Sequence, residues 1–363
     1  MDHDLSGFPR DAWLAATRRV LRGAASDAFG YGDPRGRPEL RRALADYLGR
    51  VRGVHAPPEL VVVCTGFTQG LRLVCEALRG RGATSLAHED PCMPQYPRLV
   101  ASTGLAPVPV AVDHHGVAAD RLRELGTGGL LATPAHQCPF GATLAPARRA
   151  ALLRWARDTG GVVIEDDYDG EFRYDRQPVG ALQGLDPERV VYAGTASKTI
   201  APGVRLAWLV VPPSLLEPVV EAKRCADHQS PSIDQLVLAD MIGSGAFDRH
   251  VRRCRLRYRR RRDRLRAAIA EWVPALRLLG VAAGLHAVAL LPDGGPGEDE
   301  VLAHAASRSV ALTGLGEYRH GAPRPAGAAP RGIAIGYASP PEHAFGAALD
   351  ALTAALAELW PRP

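Results

Sequence analysis

From about residue 60 the chain alternates short, β-branched apolar runs with longer stretches of helical period, and this alternation excludes most folds. "ELVVVC" (59–64) reads as a buried strand, followed by a helix across "TQGLRLVCEALRG". "GLLAT" (129–133), "GVVIED" (161–166), "RVVYAG" (189–194) and "VRLAWLVVP" (204–212) read as further strands. "LAPARRAALLRWARDTG" has helical period and a glycine stop. Apolar strands alternating with helices define an α/β layer with a mostly parallel sheet. Ligands of such sheets gather at the carboxyl ends of the strands. Thr65 and Asp166 fall at two such ends, and Lys198 lies just beyond a third.

A long helical stretch is expected from 231 to 272, then a smaller α+β lobe from about 275 that closes on the helix "EHAFGAALDALTAALAELW". The expected division is an N-terminal arm or helix over 1–30, a large domain over 31–245, and an interdomain helix with a small domain over 246–363. Ten of the fifteen residues from 252 to 266 are arginine, which invites a nucleic-acid reading. Val251, Cys254, Tyr258 and Leu265 share one face at helical spacing, so the arginines read instead as the solvated side of an amphipathic helix. The loop "HGAPRPAGAAPRG" (320–332) reads as a mobile surface connection.

With 363 residues and 46% apolar content the chain can bury a large core, and a net charge of +5 is too mild to indicate a nucleic-acid partner. No stretch approaches the roughly 18 apolar residues of a membrane span, and "MDHDLSGFPRDAW" has no secretory apolar run. The six cysteines form no CxxC pair and no disulfide framework, so no metal site is expected and a reducing cytoplasm is.

Of 44 basic residues only Lys198 and Lys223 are lysines. Arginine supplies positive charge equally well, but it cannot lose its proton near neutral pH and attack a carbonyl. Lys198, in "GTASKTIAPGVRLAW" (194–208), is therefore a candidate nucleophile or Schiff-base former. "IEDDYDGEFRY" (164–174) puts three consecutive acids at the end of an apolar strand, which is costly unless they are paired or face a polar site. "CTGFTQGL" (64–71) joins strand to helix, and its amides are placed to hold a phosphate. "TPAHQCPFG" (133–141) is a proline turn around His136 and Gln137.

In this order and spacing, with "YGDPRGRPELRRALADYLGRVRGV" (31–54) and "HVRRCRLRYRRRRD" (250–263), the chain resembles the fold-type I pyridoxal-phosphate enzymes. More narrowly, it resembles the aminotransferase-like domain of the MocR family of regulators, from about Phe8 to the C-terminal helix. The resemblance implies a large domain with a seven-stranded-type, mostly parallel sheet, and pyridoxal 5'-phosphate as cofactor. Lys198 matches the Schiff-base lysine, Asp166 the partner of the pyridinium nitrogen, Tyr168 the partner of the ring hydroxyl and Arg205 the phosphate arginine. Thr68 and Gln69 match the turn whose amides hold the phosphate, with Ser197 nearby. Tyr31 matches a tyrosine that reaches the partner subunit's phosphate, which implies a homodimer with composite sites.

Three departures bear on the substrate. Met93 stands where many relatives have an aromatic cover for the ring, with Tyr96 three residues on as a substitute. Cys138 replaces the usual Asn, and Ala334 replaces the arginine that clamps a substrate carboxylate. Arg331, Met93 and His136 are thus the expected substrate contacts. The implied function is an enzyme acting on an amino acid or amine through an external aldimine and quinonoid, an aminotransferase or a relative doing elimination or replacement, in specialised biosynthesis. The alternative is a non-catalytic effector-binding domain of a MocR-type regulator. The chain begins just before the cofactor domain, without the winged helix of those regulators, and this favours the enzyme.

Overall fold

In the computed structural model, which describes residues 4–174, 179–321 and 330–361, the apolar runs form five adjoining strands on one side of an eight-stranded sheet. The strands are β1 (Val61–Cys64), β2 (Ser85–Asp90), β3 (Ala106–Asp113), β4 (Gly116–Val117), β5 (Gly129–Ala132), β6 (Val162–Asp166), β7 (Val190–Thr195) and β8 (Ala207–Val210). Their order is β1-β8-β7-β6-β5-β2-β3-β4. The stretch from β7 to β3 is parallel, while β8 runs antiparallel to both neighbours. The eighth strand, β4, is a two-residue return against the end of β3 at the sheet edge.

Both faces are covered, which is why the strands read as continuous apolar runs. Val62, Ile164, Val191 and Leu209 meet helices α3 (Phe67–Gly80), α4 (Gln95–Ser102) and α7 (Pro213–Asp227) on one side. Val61, Val63, Tyr192 and Trp208 meet α2 (Pro38–Arg52) and α8 (Ser232–Gly243) on the other. The N-terminal helix α1 (Arg10–Gly23) joins that second layer. The short α5 (Leu122–Leu125) and α6 (Pro146–Thr159) cover β5 and β6 through Leu122, Leu152 and Trp155. Fully burying one such side chain contributes about 1.5–3 kcal/mol.

The expected single helix from 231 to 272 is two helices. Gly243-Ser244-Gly245 ends α8, and Gly245, at φ 69°, turns the chain into α9 (Ala246–Trp272). Helix α9 buries Val251, Cys254, Tyr258 and Leu265, the apolar face read from the sequence. One arginine of the cluster is an exception to the solvated face. Arg261 is 2% exposed and bonds Asp4, Glu342 and the carbonyls of Ala338 and Pro340.

Beyond α9 a four-stranded antiparallel sheet, β11-β12-β10-β9, builds the small lobe. It comprises β9 (Arg277–Leu279), β10 (Ala287–Leu290), β11 (Thr313–Gly314) and β12 (Gly332–Ile335), with α10 (Glu298–Ser307) and α11 (Phe345–Leu359). Ile333 and Ile335 of β12 face the core shared with α9 and α11, so the alternation turns Ala334 the other way. Ala334 packs with Cys138, Val288, Leu315 and Tyr318. Most of the loop read as a mobile connection, residues 322–329, lies outside the described residues. Among the described residues no helix is long and apolar enough to cross a membrane.

Candidate active site

The carboxyl ends of β1, β6 and β7 open into one cleft of about 210 Å³, whose lining includes Thr68, Asp166, Tyr168, Ser197, Lys198 and Arg205. Residues singled out in separate segments of the sequence are thus neighbours. Met93 and Cys138 line the same cleft, together with Phe67, Gln95, Tyr96, Leu285 and His286.

One end of the cleft is built for an anion. Helix α3 starts at Gly66 with no side-chain cap, so its first amides point outward without a protein acceptor from that position. The positive end of the helix dipole adds to their pull. Arg205 closes over this turn from its own left-handed conformation, φ 54°, and Nη2 donates to the Thr65 carbonyl at 2.8 Å. Gly66, at φ 96°, admits that approach because a Cβ there would overlap the Arg205 guanidinium. The Ser197 hydroxyl accepts from Thr195 Oγ1 at 2.9 Å, which leaves its own proton for a ligand. A phosphate matches this set of donors.

Gln69 acts from behind. Its Oε1 accepts from the Thr65 amide at 2.8 Å, and its Nε2 donates to Asp227 at 2.7 Å. Asp227 in turn holds Lys223, which is fully buried. The second lysine therefore braces the turn, and its survival among arginines has a packing reason.

The other end holds the acids. Asp166 is 2% exposed and accepts a hydrogen bond from Tyr96 Oη at 2.5 Å. Burial pushes its carboxyl up to about 7 against the pull of Tyr96, and Asp167, Asp169 and Glu89 add to the rise. A cationic ring nitrogen, such as that of a protonated pyridine, would stabilise the ionised form. Asp167 faces away, in a buried pair with Arg52 at 2.6 Å, and accepts from Tyr192. Glu165 is bound by the amides of Leu182 and Gln183. Of the three consecutive acids only Asp166 lines the cleft.

The structure moves His136 away from direct substrate contact. It is 4% exposed and stands behind Tyr168, with Nδ1 2.7 Å from Asp169 Oδ2 and 3.1 Å from Tyr168 Oη. A carboxylate only accepts, so Nδ1 carries the proton and Tyr168 keeps its own for an acceptor in the cleft. Gly284, at φ 81°, seals this dyad, since a Cβ there would overlap the His136 ring. Arg331 is also placed elsewhere: Nη2 donates to the Pro292 carbonyl at 3.0 Å, at the start of β12, and it does not line the cleft. Tyr96, expected as a ring cover, is the partner of Asp166.

Tyr31 is 90% exposed, its ring 5.2 Å from His228 in an edge contact. It is not brought to the cleft of its own chain. Asp169, His286 and Gly284 were not singled out in the sequence. Asp169 had a signal in the acid run "EDDYD", whereas the other two come from the far lobe and carry none.

A two-lobed α/β fold with a lysine, a buried acid and an anion cup at the strand ends defines a class of cofactor-binding transferases. The sequence model of the aminotransferase class I and II family matches residues 2–310. The chain belongs to that family, the fold-type I pyridoxal-phosphate proteins. An uncharacterized HTH-type transcriptional regulator of Bacillus subtilis (strain 168) is 35% identical over 309 residues, 84% of this chain and 65% of the regulator. The probable rhizopine catabolism regulatory protein MocR of Rhizobium meliloti is 31% identical over 74% of this chain and 56% of its own length. The chain thus spans under two thirds of the length of these regulators. Among solved structures, the α-aminoadipate aminotransferase LysN of Thermus thermophilus, in complex with N-(5'-phosphopyridoxyl)-L-leucine, superposes with a TM-score of 0.84. That match has 25% identity and covers 99% of this chain and 91% of the other. The cofactor of the family is pyridoxal 5'-phosphate, and the anion cup, the buried acid and the lysine fit its three functional parts.

Proposed function

We propose that this chain forms a pyridoxal-phosphate enzyme of aminotransferase type that acts on an amino-group substrate. The carrying observation is that Lys198, Asp166 and the Arg205–α3 cup face one cleft although they come from three strand ends. Arg205, Ser197, Thr68 and the α3 amides would hold the phosphate, Asp166 the ring nitrogen and Tyr168 the ring hydroxyl. Bound there, the cofactor supplies an electron sink for the pair left at the substrate's Cα. Lys198 would hold the cofactor, and its amine would move a proton at that Cα. Tyr96 keeps Asp166 oriented, and the His136–Asp169 pair keeps the Tyr168 proton pointed at the cleft.

The working form in this proposal is a cytoplasmic homodimer in which Tyr31 of each chain reaches the other's phosphate. Two observations support it: six free cysteines and exposed Leu14, Leu21, Phe29 and Tyr31 along the N-terminal segment. Purified protein should show a visible absorption band, and borohydride should fix the cofactor on Lys198. Lys198→Ala should lose the band. A trapped peptide carrying Lys223 instead would refute the assignment.

A second reading, a ligand-sensing domain without turnover, is favoured by the regulators among its relatives. Single-turnover analysis separates the two. An enzyme consumes its amino donor, whereas a sensor shifts its spectrum and returns the donor intact.

A further inference from the structure

We propose that the substrate of this site is a primary amine with no carboxylate beside its amino group, not an α-amino acid. The inference rests on the reading of Lys198 given above. Among the described residues, the cations that line the cleft are Lys198 and Arg205. Lys198 occupies the amino-group position. Arg205 is tied to the Thr65 carbonyl at the α3 turn, at the anion end. Neither is left for a second anion.

The wall facing them is uncharged. Met93, Cys138, Leu285 and His286 line it, and Ala334 packs behind Cys138. Arg331, three residues before Ala334 along the strand and so roughly 10 Å away, is bonded to Pro292. His286 is not a substitute cation. Its Nε2 lies 2.9 Å from the Pro139 carbonyl and must carry the proton, so its other ring nitrogen only accepts. Burial, with His136 beside it, pushes its pKa down to about 4, so the ring is neutral at physiological pH. Cys138 is buried and its thiol is pushed up, so it stays protonated, a weak donor.

A carboxylate brought to this wall would lose its water and find no charged partner among this chain's described residues. A neutral amine tail meets none of these penalties. Thioether, leucine and imidazole surfaces suit an apolar body, and the His286 lone pair suits a hydroxyl or amide donor on it.

The test uses matched ligand pairs that differ only in the carboxylate. Phenethylamine against L-phenylalanine, and butylamine against L-norvaline, are titrated into the cofactor-loaded protein, with dissociation constants read by calorimetry and by the visible band. The wild-type protein should bind each amine on the order of tenfold tighter than its amino acid, the scale of one charge-assisted hydrogen bond forgone. Ala334→Arg should narrow or invert that ratio, and Ala334→Leu, which adds bulk without charge, should not narrow it. The wild-type comparison decides even if a variant fails to fold. Equal or tighter binding of either amino acid overturns the proposal, as does failure of both amines to saturate. If borohydride leaves no cofactor on Lys198, the reading of the site itself has failed. Cofactor on Lys198 with amino acids preferred sinks only this inference.

Discussion

Burial makes the ionised form of Asp166 costly in the fold. Its pKa in the fold is about 7, above the ordinary carboxyl value of 3.8. Ionising it therefore subtracts stability, not at all below the lower value, increasingly between the two, and fully above the upper one. Asp166→Asn removes this dependence while Tyr96 can still donate to the amide oxygen. The cofactor-free variant should match wild type near pH 4 and exceed it by roughly 1–4 kcal/mol at pH 8. Urea midpoints at the two pH values test this, and an equal offset at both would refute it. The same variant should hold pyridoxal phosphate less well, because the partner of the ring nitrogen is gone. Asp166 and Lys198 were legible because each follows an apolar run whose end fixes its position, whereas Arg205, ahead of β8, was found through the resemblance alone. Arg331 was not, because an offset along the chain says nothing of strand alternation, and its guanidinium satisfies Pro292 instead. The His136–Asp169 contact joins positions 33 apart through two turns, and no local pattern encodes such a meeting. Lys223 shows that a retained lysine can also mean a tight buried fit.

At the scale of elements, strands that are continuous apolar runs were readable, and β2 and β3 were not. "SLAHED" interrupts its run with His88 and Glu89, which are nonetheless buried, and Glu89 is satisfied by Thr133. "APVPVAVD" carries prolines 107 and 109, which suit a strand whose outer side is paired only at its far end. The break between α8 and α9 lay in plain view as Gly-Ser-Gly, yet helical period on both sides masked it. The α3 turn offers a sharp test. Gly66→Ala places a methyl group in the Arg205 guanidinium and strains a backbone at φ 96°. Phosphate affinity, measured by calorimetry with inorganic phosphate on cofactor-free protein, should fall at least about tenfold, with far-ultraviolet circular dichroism unchanged. Unaltered phosphate affinity would mean that the anion end lies elsewhere.

For the whole molecule, the proposed dimer makes cofactor retention depend on assembly. Tyr31→Phe should leave the dimer mass by light scattering unchanged and weaken pyridoxal-phosphate retention by about tenfold, the scale of one hydrogen bond to a charged oxygen. A monomer that keeps its cofactor on dilution would contradict the shared site. The rarity of lysine has one more consequence. Lys223 is sealed at 0% exposure, and Lys198 lines the cleft. Apart from the α-amino terminus, an amine-directed reagent thus meets a protein with a single address. Acylation by a small activated ester becomes a count of reactive lysines, read as one added mass per chain beyond that on the terminus, and prior loading with pyridoxal phosphate should abolish that one. Bulk labelling, elsewhere a blunt surface stain, would here work as an active-site titrant.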